Sequence, residues 1–199
     1  MPRKVDHEAR RREIAGAVWR IASRAGLESV TLRQVSAEAQ MSTRLVQYYF
    51  GTRDELLRLS LDILNSSAEA DAKQRLGEQR DQTPRGLLRG VLAELLPADE
   101  KRRIRQLVHV AYFVRSLSDE KLAASFRSTP PALERLVADL IVLARGSGNV
   151  SAADALLEAE TLLSLVDGIA TRMLLKQYEY ERALGLIDNQ IDRVLEKRP

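Results

Sequence analysis

The chain has 199 residues, 45% hydrophobic and 30% charged, which allows a sizeable buried core in one domain or in two that share a helix. It has no cysteine, which excludes disulfides and thiolate chemistry, and no apolar run reaches the roughly 18 residues of a membrane span. The net charge is only +3, yet residues 1–60 hold 11 Lys+Arg against 7 Asp+Glu (+4), while the other 139 hold 20 against 21 (−1). A basic N-terminal third fits an anionic partner held by one end; a solvated charged surface fits the same balance. The basic start, MPRKVDHEARRREI, lacks the apolar stretch of a secretory signal, so a cytoplasmic protein with no membrane contact is expected.

Helix signals recur along the chain and strand signals do not. Residues 8–25 place Ile14, Val18, Ile21, Ala22 and Ala25 at helical spacing, and Gly26 closes that helix. Thr31 and Gln34 form a capping box for a short helix with Leu32, Val35 and Ala39 inward. Ser42 caps a helix over 43–49, Gly51 breaks the chain, and Thr52 with Glu55 opens a long helix from Arg53 to about residue 78. Thr83-Pro84 starts the next helix, Pro97 ends it, and Asp99 starts another. Asp119 begins a segment interrupted at Pro130-Pro131, with helix continuing to Arg145. GSGN at 146–149 is a loop, Ser151 opens an apolar helix to about Lys176, and ERALGLIDNQIDRVLEK is the last helix. The class is therefore all-α, with about nine helices.

The stretch STRLVQYYFGTRDELL, from Ser42 to Leu57, carries the most chemistry. On a helix, Val46, Tyr49 and Phe50 share an inward face, while Thr43, Arg44, Gln47 and Tyr48 share the opposite one. A hydroxyl, a guanidinium, an amide and a phenol are groups that bond base edges and phosphates; Leu45, at the border, either touches a thymine methyl or packs. Two short capped helices joined by the turn AQMS make a helix-turn-helix unit, whose second helix enters the major groove. The helix starts at Leu32, Thr43 and Arg53 present N–H groups to phosphates. Arg53 stands where the helix dipole prefers acids, which a phosphate explains and so does an ion pair with Asp54 or Glu55. An ordinary helical hairpin with a polar surface is the bland reading of the same residues.

LESVTLRQVSAEAQMSTRLVQYYFGTRDELL resembles the DNA-binding domain of TetR-type transcriptional regulators, over roughly residues 8–57. The resemblance implies a three-helix DNA-binding domain at 1–52 and a helical ligand-binding and dimerisation domain at 53–199, joined through the helix from Arg53. It makes Thr43, Arg44 and Gln47 base or phosphate contacts, Thr31, Tyr48 and Arg53 phosphate contacts, and Arg33 a second-helix contact. The chain departs from the family pattern at Gln40, where the turn usually has Gly, and at Gln47, where the recognition helix usually has an aromatic. If Gln40 is left-handed, it costs ~1 kcal/mol relative to Gly.

In the second half, helix 152–176 is apolar nearly all round, and Leu184, Ile187, Ile191, Val194 and Leu195 make one stripe of the last helix. Both either complete a monomeric core or, as the resemblance implies, form a homodimer through about 152–176 and 181–197. LVDGIATRMLL with LIDNQIDRVL is similar to the choline/betaine-regulator branch, from which no ligand is carried over. Tyr112, Phe113 and Phe126 read as core first and pocket walls second, and His109 as a core or pocket histidine rather than a metal ligand. Asp167 and Arg172 either orient a polar ligand, bond each other or meet a dimer partner.

The family likeness implies a repressor that binds a palindromic operator on double-stranded DNA and is relieved by a small-molecule effector, with no cofactor. An enzyme is disfavoured: only His7 and His109 are present, with no Gly-rich phosphate loop and no metal-ligand pair at helical spacing. The other alternative is a helical small-molecule carrier or adaptor without DNA binding.

Overall fold

The structure, a computed structural model, describes residues 6–120, 122–123, 132–146 and 148–196. Among these residues lie nine α-helices and no strand. They are α1 (His7–Ala25), α2 (Leu32–Glu38), α3 (Thr43–Phe50), α4 (Arg53–Glu78), α5 (Pro84–Glu94), α6 (Glu100–Ser116), α7 (Ala132–Arg145), α8 (Ala152–Leu174) and α9 (Tyr180–Glu196), with a 3-10 turn at Leu27–Ser29. The all-α class stands as expected. The break expected at Pro130-Pro131 falls outside the described residues.

Side chains at the helix starts set the boundaries by accepting N–H groups that have no partner within the helix. Asp6 Oδ1 accepts from the N–H groups of Glu8 and Ala9 at 3.1 Å, and Ser42 Oγ accepts from that of Leu45 at 3.2 Å. Thr52 and Glu55 make a reciprocal box: the Thr52 N–H and hydroxyl both donate to Glu55 Oε2 at 2.9 Å, and the Glu55 N–H donates to Thr52 Oγ1 at 3.2 Å. Thr31 and Gln34 form a different pair, because the Gln34 side chain receives the Thr31 hydroxyl, at 3.0 Å, instead of its backbone N–H.

Gln40 and Lys176 have positive φ, 54° and 57°. Each sits just past a helix end in the same hydrogen-bond pattern. The Met41 N–H reaches Ser36 O at 2.9 Å while that of Gln40 reaches Ala37 O at 3.2 Å; Gln177 and Lys176 do likewise to Arg172 O and Met173 O, both at 2.9 Å. Helix α8 thus stops at Leu174 rather than at Lys176, because the chain turns left-handed there. Gln40→Gly is expected to raise stability by ~0.5–1 kcal/mol in urea denaturation, since glycine adopts this conformation without strain. A loss of stability would contradict that account of the turn.

The helices gather into two compact units, one of Met1–Ala70 with Ile104–Ser128, the other of Asp71–Arg103 with Thr129–Pro199. The first is larger than residues 1–52, because most of α4 and most of α6 belong to it. Its core joins Ile14, Val18 and Ile21 of α1 to Val35, Val46 and Phe50, to Leu56, Leu57 and Leu61 of α4, and to Val108 and Tyr112 of α6. Trp19 Nε1 donates to Ser60 O at 3.1 Å, tying α1 to α4, and the Tyr112 hydroxyl donates to Leu57 O at 2.7 Å, tying α6 to α4. Ala25, read as inward from its spacing, is exposed at the last turn of α1.

The second unit packs Leu88 and Leu92 of α5, Val137 and Ile141 of α7, one face of α8 and Ile187, Ile191 and Val194 of α9. Ala155 and Ala159 of α8 are fully buried, small side chains that let helices approach closely. Arg85 and Arg89, one turn apart on α5, pair with Asp192 and Asp188 on α9 at 2.6 and 2.7 Å.

Candidate nucleic-acid interface

Helix α3 is held from behind by its buried face. Val46, Tyr49 and Phe50 are buried, as their spacing requires, and each lies in the core of the first unit. Two polar contacts fix its seat. Thr43 Oγ1 lies 2.9 Å from Ser36 Oγ, joining the hydroxyls of α3 and α2 where the helices meet. The Tyr49 hydroxyl lies 3.1 Å from His7 Nδ1, joining α3 to the first turn of α1. Helix α2 is braced in turn, because Arg20 and Arg24 of α1 both bond Glu38, at 2.6 and 2.8 Å. Those two guanidinium bonds hold the Glu38 carboxyl below the usual range, so it stays ionised.

The opposite face of α3 is open. Thr43, Arg44, Gln47 and Tyr48 are all exposed, Tyr48 by 73%, and its ring stands edge-on to that of Tyr49 with centroids 5.2 Å apart. Arg33 is exposed on α2 and Thr31 at its cap. Among the described residues, the side chains of Arg33, Arg44 and Gln47 have no hydrogen-bond or ion-pair partner in the protein. Two unpaired guanidinium groups and an amide on the packed pair α2 and α3 are what a phosphate backbone and base edges complement.

Two of the residues read as DNA contacts also pack or bond within the protein. Leu45 is half-buried and packs on the core, so it lies at the edge of the open face. Arg53 makes no ion pair with Asp54 or Glu55. Its Nε donates to Val30 O at 2.7 Å and its Nη2 to Leu27 O at 2.8 Å, which clasps the turn between α1 and α2.

Residues 14–59 match the model of the bacterial regulatory proteins of the tetR family, and residues 84–196 match the BetI-type transcriptional repressor C-terminal model. The chain belongs to the TetR family. It is 31% identical to the HTH-type transcriptional regulator PksA of Bacillus subtilis, over 88% of this chain and 83% of that protein. It is 28% identical to the HTH-type transcriptional regulator BetI of Paraburkholderia phytofirmans, over the full length of both. A crystal structure of a transcriptional regulator from Rhodococcus sp. Rha1 superposes with a TM-score of 0.78 at 29% identity, covering 94% of this chain and 96% of that one. This TetR-family chain is accordingly a DNA-binding transcriptional regulator of the BetI type, and its relatives are regulators rather than enzymes.

Of the six residues read as a ligand pocket, those described fall three on α6 in the first unit and two on α8 in the second. Tyr112 is wholly buried in the core of the first unit, the first of the two readings given for it. Phe113, on the same helix, is 53% exposed. His109 is half-buried on α6; burial first, and the nearby Arg105 cation second, lower its pKa to about 4. Phe126 lies outside the described residues. Asp167 and Arg172 belong to the second unit, both exposed, and Arg172 bonds Gln177 Oε1 at 3.2 Å rather than Asp167. Among the described residues no group of three or more His, Asp or Glu could hold a metal, and no helix is long and apolar enough to cross a membrane.

The sequence reading missed His7, Ser36 and the Arg20–Glu38–Arg24 brace. Ser36 had a legible signal, since it follows Val35 on the inward side of a short helix and sits seven residues before Thr43. His7 and Tyr49 lie 42 positions apart, and no local pattern joins them.

Proposed function

We propose that this TetR-family regulator is a repressor that binds a palindromic operator as a homodimer and is released by a small-molecule effector. The observation that carries the DNA half is the open face of α3, with Arg44 and Gln47 lacking protein partners beside Thr43 and Tyr48. Arg44 is assigned to guanine or phosphate, Gln47 to adenine, and Thr31, Arg33, Thr43 and Tyr48 to backbone phosphates. The homodimer half is supported by α8, whose inner face fills the core while Leu156, Leu157 and Leu165 stay exposed on its other side, by 36%, 62% and 36%. Leu157 and Leu165 lie on the same side as Gly168, above which no neighbouring atom lies within 4 Å, so a second copy can approach closely. Two recognition helices about 34–36 Å apart read a symmetric site, which one alone binds weakly. In this reading residues 1–52 read DNA, residues 53–199 take the effector and dimerise, and α4, shared by both compact units, carries the signal. A cytoplasmic location follows from the DNA partner.

The test is binding to duplexes selected from a random pool. Arg44→Ala and Gln47→Ala are each expected to lose ~1–3 kcal/mol on the selected site while non-specific binding persists. Unchanged affinity in both would remove α3 from base reading.

A further inference from the structure

Away from the DNA face and from the six pocket candidates, the second unit holds a cavity of about 330 Å³ between the loop before α6 and the turn joining α8 to α9. Met173 and Leu174 of α8, with Pro97 and Ala98 opposite, give it apolar walls. Arg103, Lys176, Tyr178, Glu179 and Tyr180 add its polar groups. The cavity is at the small end of ligand-pocket volumes, and polar side chains outnumber apolar ones on its wall.

From these residues we propose that the cavity is a binding site for a small organic anion with an apolar body, such as an aryl or alkyl carboxylate. The charges favour an anion. Arg103 and Lys176 outnumber Glu179 on the wall, and Arg172 lies over the Tyr178 ring, 5.5 Å from its centre. Arg103 lies in the first turn of α6, where the helix dipole disfavours a cation. Its neighbours there are held, Lys101 by Asp71 and Arg102 by Glu94 and Asp99, whereas among the described residues Arg103 meets only the largely exposed Glu100, at 3.6 Å.

Lys176 is the second observation. It occupies a left-handed position that glycine fills by default, and it places a cationic side chain on the cavity wall. Among the described residues, neither its ammonium nor the Tyr178 hydroxyl has a hydrogen-bond partner in the protein. Lys176 is exposed at the cavity mouth, and an anion there gives its ammonium a partner beside the phenols of Tyr178 and Tyr180. A quaternary ammonium of similar size would face two cations here.

The probes are 4-phenylbutyrate and (3-phenylpropyl)trimethylammonium, matched in body and opposite in charge, titrated calorimetrically into the full chain, its Lys176→Gly variant and its Arg103→Gln variant. Lys176→Gly relieves the left-handed residue, so its melting temperature should hold or rise and lost binding would not reflect unfolding. The carboxylate should bind one site per chain, at least tenfold tighter than the ammonium. Each variant should weaken it about fivefold or more, the worth of one partly exposed charged hydrogen bond. Absence of carboxylate binding, equal affinity for the two probes, or either variant binding like the parent would overturn the assignment. DNA binding is not needed for any of these outcomes, so the proposal stands or falls apart from the repressor reading.

Discussion

Tyr112→Ala is expected to destabilise the chain by about 3–5 kcal/mol, the range for removing a buried aromatic ring. Among the described residues Tyr112 is the largest wholly buried side chain, and it lies among the residues of α1, α3 and α4 that form the core of the first unit. Its hydroxyl also donates to Leu57 O at 2.7 Å, deep in the core, and burial raises its pKa far above the usual phenol value. Tyr112→Phe keeps the ring and loses only that bond, so about 1 kcal/mol is expected. Both are measurable by urea denaturation followed through the fluorescence of Trp19, the single tryptophan, whose ring packs on the same core. A cost below 1 kcal/mol for Tyr112→Ala would mean that α6 does not hold the first unit together.

The second large effect is a pH dependence from His109. In the unfolded chain this imidazole takes a proton near its ordinary pKa of 6.5, whereas in the folded chain burial, helped by Arg105, holds the proton off until about 4. Between those values the unfolded state binds more protons, so the stability linked to neutral His109 is complete above about 6.5 and drains away as the pH falls toward 4. The swing is on the order of 2–3 kcal/mol after allowance for partial exposure. His109→Leu should flatten the stability profile between those limits relative to the parent, measured by denaturation at intervals across the range. The comparison of the two profiles matters, because carboxylates such as Glu38 and Asp99, both held below their usual range, also lose stabilising bonds in acid. Parallel profiles for parent and variant would show that His109 protonates as freely when folded.

What the sequence made legible was local. The caps at Thr31, Ser42, Thr52, Thr83 and Ser151 act within three residues of their partners, and the inward face of α3 follows from helical spacing alone. The family motif was legible for the same reason, since it is packed into one short stretch. What stayed hidden depends on distant positions. Arg53 bonds carbonyls 23 and 26 residues earlier, Tyr49 bonds a histidine 42 earlier, and Tyr112 bonds a carbonyl 55 earlier. Nothing in the periodicity of α6 says that Tyr112 points into the core of the DNA-reading unit while Phe113, the next residue, is half exposed. The pocket reading grouped side chains by chemical type, and those described belong to two compact units.

The most direct measurement of the central claim is the sedimentation of this chain on a duplex carrying its selected site, at several salt concentrations. Two chains should bind each duplex, deletion of one half-site should weaken binding at least about a hundredfold, and affinity should fall steeply with salt as Arg33, Arg44 and their symmetry mates release phosphate counterions. One chain per duplex, with no penalty for deleting a half-site, or failure of any sequence to be enriched, would contradict a symmetric repressor that reads DNA through α3.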